Sequence, residues 1–386
     1  MRTTDLKKSK VAILSLAFLT MIGVLNVITS SLAEAFPEAS TLALQMSVSC
    51  AGLTTIVMSF LTPSVYKALT RRKAVILAMA ALILCSLVVY FYHPSIVMIH
   101  VFSLTFGITG SLYIPAVTSA IIDYYDGPEK LDLLSKQSVL SSAGGMLFTF
   151  VIGFLANISW NTSFLVFLLI IPSLILCILY YPQDLPAAEA KEETKTKAIV
   201  SPAIIKYGLI ALSFIICFGA YMANISLYVA EKNVGTTALT GILGAIMMLG
   251  GILGGALFKK VSEKLDNGIF VLSFGTLALC YFVLTKTGSA AVIMILSFLI
   301  GLAQGLHMPQ CMLGVSREID PSESVLGSAV ICNIAPNVGN MASPIIITTI
   351  STLLFGEAIG MRFILAAGIA LVIATLMLFN TRKKGN

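Results

Sequence analysis

Twelve runs of mostly apolar residues, each 17 to 27 residues long, dominate the sequence. They lie at 11–32, 42–62, 74–92, 96–122, 137–157, 163–181, 204–229, 238–258, 269–285, 290–315, 327–350 and 362–380. A helix needs about 20 such residues to cross the hydrocarbon of a bilayer, where it satisfies its own backbone hydrogen bonds. Transmembrane β-strands would show alternating segments of about ten residues instead. The sequence therefore predicts an all-α membrane protein with twelve transmembrane helices, called spans 1 to 12 below.

The composition excludes a soluble protein. Hydrophobic residues make up 58% of the 386 residues and charged residues only 11%, whereas soluble domains contain about 45–50% and about 25%. A soluble enzyme, a nucleic-acid-binding module and a disordered chain are thereby excluded. The seven cysteines lie in apolar runs without metal-ligand spacing, and the sequence contains no nucleotide-binding or metalloprotease motif. We expect no enzymatic activity, no cofactor, no metal and no nucleic-acid partner.

Positive charges are distributed unevenly among the loops. If both termini are cytoplasmic, the cytoplasmic segments hold 21 of the 24 Lys and Arg residues, and the outer loops keep only Lys232, Lys286 and Arg362. Cytoplasmic loops of membrane proteins carry such an excess of basic residues. The sequence therefore predicts a multi-pass protein of the cytoplasmic (inner or plasma) membrane, with its N- and C-termini on the cytoplasmic side.

One connection between the spans is long. Residues 182–203 contain three prolines and a charged stretch, which cannot form a core. The segment is interpreted as a solvated cytoplasmic linker. It would join an N-terminal six-helix bundle of residues 1–181 to a C-terminal six-helix bundle of residues 204–386.

The two halves carry matching motifs. At an offset of 194 residues, Gly107 and Pro115 of span 4 align with Gly301 and Pro309 of span 10. Each match is weak by itself, but they fall in corresponding spans. The pattern indicates an internal duplication, and hence two pseudo-symmetric bundles.

This plan resembles the major facilitator superfamily over nearly the whole chain. In that family the loop between spans 2 and 3 carries the motif G-x-L-x-D-R-x-G-R-R/K, and Arg71, Arg72 and Lys73 match its basic end. The stretch Ile158–Trp160 followed by Phe164 looks like the span 5–6 junction of twelve-span drug-exporter-like members. The resemblance implies the family's fold and a transport function, as a drug-exporter-like protein or a metabolite permease.

Four sites depart from the family pattern. Lys67 stands where the loop acid is expected, and Thr70 where the second glycine of the motif is expected. Ser103 lies near the position of a familiar arginine of span 4, and Phe148-Thr149 of span 5 replace the Gly-Pro that antiporters usually show. These departures leave the fold expectation intact and weaken the expectation of proton antiport.

The middle of the spans contains polar residues but no Asp, Glu, Lys or Arg. Such an interior suits neutral, zwitterionic or weakly charged organic solutes better than permanently charged ones. The resemblance places spans 1, 4, 7 and 10 around a central path. Each polar residue there either faces that path or bonds a neighbouring helix. The predicted substrate-binding residues are Asn26, Tyr113, Asn224, Gln304, His307, Gln310, Asn333 and Asn337.

Several charged or titratable residues are candidates for coupling or gating. His307 is predicted to couple transport to protons, because histidine titrates near neutral pH; the alternative is a histidine that only bonds between helices. Glu34 and Glu231, at the outer ends of spans 1 and 7, are predicted to form an outer gate, or else are ordinary loop carboxylates. A basic inner loop is predicted to contact acidic groups of neighbouring loops in the outward-facing state. This conformational loop comprises Lys67, Arg71, Arg72 and Lys73.

The sequence thus predicts a secondary transporter, monomeric in the bilayer, that moves a small organic solute by alternating access. Two versions stay open. One is a proton-coupled exporter of amphipathic organics, an efflux function; the other is an uptake permease or facilitator for a neutral metabolite. A membrane receptor or scaffold that keeps the fold without transporting is the alternative from another class.

Overall fold

The computed structural model describes residues 3–19, 25–182, 201–319, 327 and 330–383. Every regular element within these residues is a helix. The first half contains α1 (Thr3–Ala17), α2 (Leu25–Ala35), α3 (Thr41–Leu69), α4 (Arg71–Phe91), α5 (Ile96–Tyr124) and α6 (Gly127–Ala156). A 3₁₀ helix, Trp160–Ile170, then runs directly into α7 (Ile171–Tyr180).

The second half contains α8 (Pro202–Glu231), α9 (Thr237–Leu265), α10 (Gly268–Leu284) and α11 (Ala290–Glu318). Span 11 follows in four pieces: a π-helical turn Val330–Ile334, α12 (Ala335–Ser343), a second π-helical turn Pro344–Thr348, and α13 (Thr349–Phe355). The last helix is α14 (Ile359–Lys383). The start of α8 follows from its sequence, because Ser201 Oγ accepts the Ala203 N–H and Pro202 occupies the first turn, where no N–H is needed.

The helices confirm the predicted all-α membrane architecture. Within the part of the chain that the structure describes, ten helical segments are long and apolar enough to cross a membrane, and α10 is a shorter apolar helix that matches span 9. Span 1 corresponds to the end of α1 and to α2, which lie on either side of residues 20–24, outside the described part. The predicted linker 182–203 also lies mostly outside the described residues.

Large apolar side chains are exposed along the helices. Leu84 of α4 is 63% exposed, Leu279 of α10 is 65% exposed and Leu371 of α14 is 59% exposed. In water such surfaces would cost free energy in proportion to their apolar area. Hydrocarbon tails remove that cost, so these faces are suited to contact lipid.

The contacts divide the chain into two compact units. The first comprises Met1–Val24 and Cys50–Ile199, and the second comprises Leu25–Ser49 and Val200–Asn386. The second unit therefore includes α2 and the beginning of α3, although these belong to the first half of the sequence. The proposed bundle boundary at 182–203 remains an expectation.

Glycines bring helices into close contact in both units. In the second unit, a Cβ atom built on Gly301 of α11 would lie 1.8 Å from the carbonyl oxygen of Met247 in α9. In the first unit, a Cβ atom on Gly107 of α5 would lie 2.2 Å from the carbonyl oxygen of Ala51 in α3. Small residues permit this backbone approach. The aligned glycines Gly107 and Gly301 thus have the same packing role in their own units.

Candidate functional site

The described residues include a group of buried polar side chains around Asn224 of α8, in the second unit. Asn224 is fully buried, and its Oδ1 accepts hydrogen bonds from Gln45 Nε2 at 2.6 Å and from Arg362 Nη1 at 2.9 Å. Thr348 Oγ1 donates to Gln45 Oε1 at 2.5 Å, and Asn224 Nδ2 donates to the Ala220 carbonyl at 2.9 Å. We call Gln45, Asn224, Thr348 and Arg362 the Arg362 network.

Arg362 lies inside a helix rather than in the outer loop expected from the sequence. It is the fourth residue of α14 and only 1% exposed. Apart from Asn224, its guanidinium donates from Nη2 to the Glu357 carbonyl oxygen at 3.4 Å, and its Nε makes no hydrogen bond. The carboxylates of Glu231 and Glu357 act on it electrostatically from a longer distance. A buried cation therefore lies at the beginning of span 12, outside the middle of the span, which contains no charged residue.

The break in span 11 helps to form this network. Pro344 has no N–H to bond the preceding turn, and the chain continues through the π-helical turn Pro344–Thr348. Such turns occur often at functional sites. Thr348, the last residue of the turn, donates to Gln45, and Ser343 just before it donates to the Ile216 carbonyl of α8 at 2.7 Å.

Hydroxyl contacts join α2 to the helices of the second half. Ser30 and Ser226 share a hydrogen bond of 2.8 Å between their Oγ atoms, and Ser31 Oγ and Thr237 Oγ1 lie 2.7 Å apart. Ser30 and Ser226 are both buried. Together with the Gln45–Asn224 bond, they attach residues 25–49 to α8 and α9 by polar groups.

His307 lies in an aromatic cage. It is fully buried on α11, its ring stacks on Phe214 at a centroid distance of 3.9 Å, and the Phe270 and Phe274 rings meet it edge-on at 5.2 and 5.3 Å. Neither ring nitrogen makes a hydrogen bond of standard geometry, although the Ile210 backbone is close enough to act on the ring. This placement packs His307 against aromatic rings of α8 and α10. Its role in proton coupling, and the alternative of a histidine that only bonds between helices, both stay predictions.

The other polar residues predicted on span 10 have different surroundings. Gln310 is fully buried, and its Oε1 accepts from Ser262 Oγ of α9 at 3.0 Å, whereas its Nε2 makes no hydrogen bond of standard geometry. Gln304 is half-buried. Gln310 is therefore engaged with α9, and of the two glutamines only Gln304 is partly accessible.

The remaining predicted binding residues do not join the Arg362 network. Asn337 Nδ2 donates to the Asn333 carbonyl at 2.9 Å and to its side chain at 3.2 Å, one turn along span 11. Asn333 is exposed, and Asn26 of α2 is half-buried. In the first unit, Tyr113 is 2% exposed and its hydroxyl donates to the Leu19 carbonyl at 3.5 Å. Of the eight predicted residues, only Asn224 belongs to the network.

The two predicted gating carboxylates are both exposed. Glu231 ends α8, and its Oε2 accepts the Ile359 N–H at the start of α14 at 3.2 Å. Glu231 thereby holds the end of α14 that carries Arg362. Glu34 lies near the end of α2.

The conformational loop forms a tight turn between α3 and α4. Arg71 Nη2 donates to Asp123 Oδ2 at the end of α5 at 2.7 Å, and Arg72 donates to the Ile178 carbonyl. Lys67 and Lys73 are exposed. The predicted contacts of this loop in an outward-facing state stay a prediction.

The second unit has a comparable pair with its charges reversed. Arg317, which aligns with Asp123 at the offset of 194, donates from Nη1 to Asp266 Oδ1 at 2.7 Å between α9 and α10. Partial burial opposes ionisation of Asp266, but the Arg317 guanidinium and the Asn267 N–H outweigh it and hold the pKa of that carboxyl below its usual range. In each unit, an ion pair thus connects the turn between the second and third spans of the six-span repeat to the end of the fourth span.

Sequence reasoning missed three members of the Arg362 network. Gln45 and Thr348 lie inside apolar runs, and Arg362 begins the last run, so nothing in the sequence distinguished them from ordinary interior or boundary residues. One signal was available for Arg362, because only six residues separate it from Phe355 and the loop between spans 11 and 12 is too short to keep its side chain away from the helices.

Comparisons with known proteins agree with this architecture. The sequence model of the Major Facilitator Superfamily matches residues 11–335. Among solved structures, a mutant of the nucleoside transporter NupG superposes with a TM-score of 0.81 at 11% identity, over 96% of this chain and 98% of that one. An inward-facing, occupied bacterial homologue of the human lysosomal transporter Spinster superposes with a TM-score of 0.75 at 13% identity, over 99% of this chain and 98% of that one. A D-xylose–proton symporter superposes with a TM-score of 0.70 at 15% identity, over 96% of this chain and 97% of that one. A comparison with curated proteins finds no match.

Proposed function

Because the chain belongs to the Major Facilitator Superfamily, we propose that it moves a small neutral, zwitterionic or amphipathic organic solute across the cytoplasmic membrane by alternating access. The family makes it a membrane transporter rather than an enzyme. The similar solved structures include carriers of nucleosides and of xylose by their names, so polar solutes are compatible with this fold. The proposal includes cytoplasmic termini, as the distribution of basic residues predicts.

The observation that carries the proposal is the attachment of residues 25–49 to the second half of the chain. Gln45 bonds Asn224 of α8, and Ser30 bonds Ser226 of the same helix. In alternating access, the outer ends of the helices separate and rejoin in each cycle. Hydrogen bonds between polar side chains are suited to this, since water replaces them at little cost when they open.

Flux into proteoliposomes tests the proposal. Purified protein is reconstituted and offered a panel of nucleosides, sugars, amino acids and cationic dyes, with and without an imposed pH gradient. Gln45→Leu removes both hydrogen bonds of the Gln45 side chain, so we expect it to reduce flux several-fold. Ser273→Ala is the matched control, because buried Ser273 bonds only the Ile269 carbonyl of its own helix.

The results separate the alternatives. Uptake driven by an inward-directed gradient supports a permease, and extrusion from loaded vesicles supports the exporter version. Binding of a solute without movement of any member of the panel would favour the receptor or scaffold and would overturn the proposal. A pH gradient that drives accumulation in the native protein but not in His307→Phe would support the coupling role of His307.

A further inference from the structure

The guanidinium of Arg362 is buried without an ionic partner among the described residues. Removing an ion from water costs several kcal/mol, and buried charges in proteins are normally paired. Here the hydrogen-bond acceptors are the Asn224 amide oxygen and the Glu357 carbonyl oxygen, both uncharged. Glu231 and Glu357 act on this charge only from a longer distance, so among the described residues no anion contacts the guanidinium directly.

The free part of the guanidinium has the shape that a carboxylate requires. Nε has no hydrogen bond, and Nη2 makes only the long bond of 3.4 Å. An arginine binds a carboxylate through two parallel N–H groups, and such charge-assisted bonds are shorter and stronger than neutral ones. The edge formed by Nε and Nη2 thus lacks a strong acceptor while Arg362 is closed off from solvent, and a carboxylate reaches it only when the surrounding helices open.

Two donors also converge on one oxygen. Asn224 Oδ1 receives Arg362 Nη1 at 2.9 Å and Gln45 Nε2 at 2.6 Å. An amide oxygen accepts these bonds without a full charge, whereas a carboxylate oxygen in the same place would accept them with one. A solute carboxylate oxygen that displaced the Asn224 amide oxygen would therefore be held by the same two donors.

We propose that Arg362, Asn224 and Gln45 form a binding site for a carboxylate group, so that the solute class is organic monocarboxylates and carboxylate-bearing zwitterions. This rests on the proposed transport function and names its solute as a carboxylate, which for organic monocarboxylates is an anion rather than a neutral or zwitterionic molecule. Gln45 belongs to residues 25–49, so a carboxylate that takes its hydrogen bond away from Asn224 weakens the attachment of that segment to α8. The Gln45 amide group therefore couples binding of the solute to opening of the contact between residues 25–49 and α8.

Matched pairs of acid and amide test the site. The apparent melting temperature of the detergent-solubilised protein is measured at pH 7 with benzoate against benzamide and nicotinate against nicotinamide. Ligands that bind only the folded state raise this temperature. We expect the acids to raise it and the amides to leave it unchanged. Chloride and phosphate at the same ionic strength are the controls for general anion effects; an equal shift with chloride or with the amides would overturn the proposal.

Two variants assign the effect to the network. Arg362→Gln removes the charge, and we expect about 10- to 100-fold weaker binding of the acids, as for the loss of a hydrogen bond to a charged group. Asn224→Asp places a carboxylate next to Arg362 permanently. We expect this variant to lose its response to benzoate, which keeps the test informative if Arg362→Gln does not fold; its melting temperature without ligand also contains the loss of the hydrogen bond from Asn224 Nδ2 to the Ala220 carbonyl. An undiminished response of Asn224→Asp to benzoate would contradict the site.

Flux measurements distinguish this inference from the proposed function. If vesicles transport neutral solutes and the acids neither bind nor cross, the carboxylate site is wrong and the transport function stands. If the acids bind through Arg362 but no solute crosses, the site stands and the transport function is wrong.

Discussion

Thr70 holds the turn between α3 and α4 in a backbone conformation that suits glycine. Its φ is 62° and its ψ is 146°, a region that is almost restricted to glycine and costs a residue with a Cβ about 1–3 kcal/mol. The family motif has a glycine at the position that Thr70 occupies. The turn therefore keeps this geometry although Thr70 carries a Cβ. Two hydrogen bonds hold it in place, from Arg71 to the Asp123 carboxylate and from Arg72 to the Ile178 carbonyl.

Replacing Thr70 with glycine should stabilise the protein. The substitution relieves the strain of about 1–3 kcal/mol and adds roughly 0.5–1 kcal/mol of chain entropy to the unfolded state, so we expect a net gain near 1 kcal/mol. The measurement is the apparent melting temperature in detergent. Thr70→Ala is the control, because it retains the Cβ and should gain nothing. A Gly variant no more stable than the Ala variant would show that the turn is not strained.

At the level of helices, contact between α9 and α11 depends on which faces carry glycine. Gly301 and Gly305 of α11 lie against α9, where a Cβ would come within 1.8 and 2.2 Å of the carbonyl oxygens of Met247 and Gly251. Gly255 of α9 has nothing within 4 Å of a built Cβ. The backbone nitrogen of Gly255 would lie 3.0 Å from a Cβ built on Gly305, so Gly255 contacts α11 through its backbone, while its own Cβ position points to open space.

This difference predicts opposite effects for two similar substitutions. Gly301→Ala should destabilise the protein by about 1–3 kcal/mol, the usual cost of overpacking, because the new methyl group meets a backbone carbonyl that cannot move aside. Gly255→Ala should be neutral or slightly stabilising, since alanine favours the helix. Thermal melting of the two variants in one detergent checks the contrast. Equal melting temperatures would mean that the helices separate easily at Gly301.

For the whole molecule, the family membership and the all-helical architecture agree with an even number of spans. The distribution of 21 of the 24 basic residues predicts that both termini and the linker 182–203 lie on the cytoplasmic side. The first half contributes residues 25–49 to the second compact unit. The division predicted from the sequence, at the linker 182–203, therefore differs from the division into compact units in the assignment of residues 25–49.

Epitope tags at the two ends test the topology. Tags at the N- and C-termini, and a protease site inserted in residues 182–203, should be inaccessible from outside intact cells and accessible in inverted membrane vesicles. A tag in the outer loop beside Lys286 should behave in the opposite way and serves as the control. Termini on opposite sides of the membrane would contradict the twelve-span assignment.

The sequence by itself determined the fold class, because the length of an apolar run is a local property that the bilayer translates directly into a transmembrane helix. It also pointed to Asn224 as a polar residue of interest. Only the tertiary structure decided that Asn224 shares one network with Gln45, Thr348 and Arg362, since these residues are 179, 124 and 138 positions away from it along the chain. It likewise placed His307 among aromatic rings. The sequence of a nearly all-apolar helix does not indicate which of its faces packs against which neighbouring helix, because lipid and the protein interior favour the same apolar side chains.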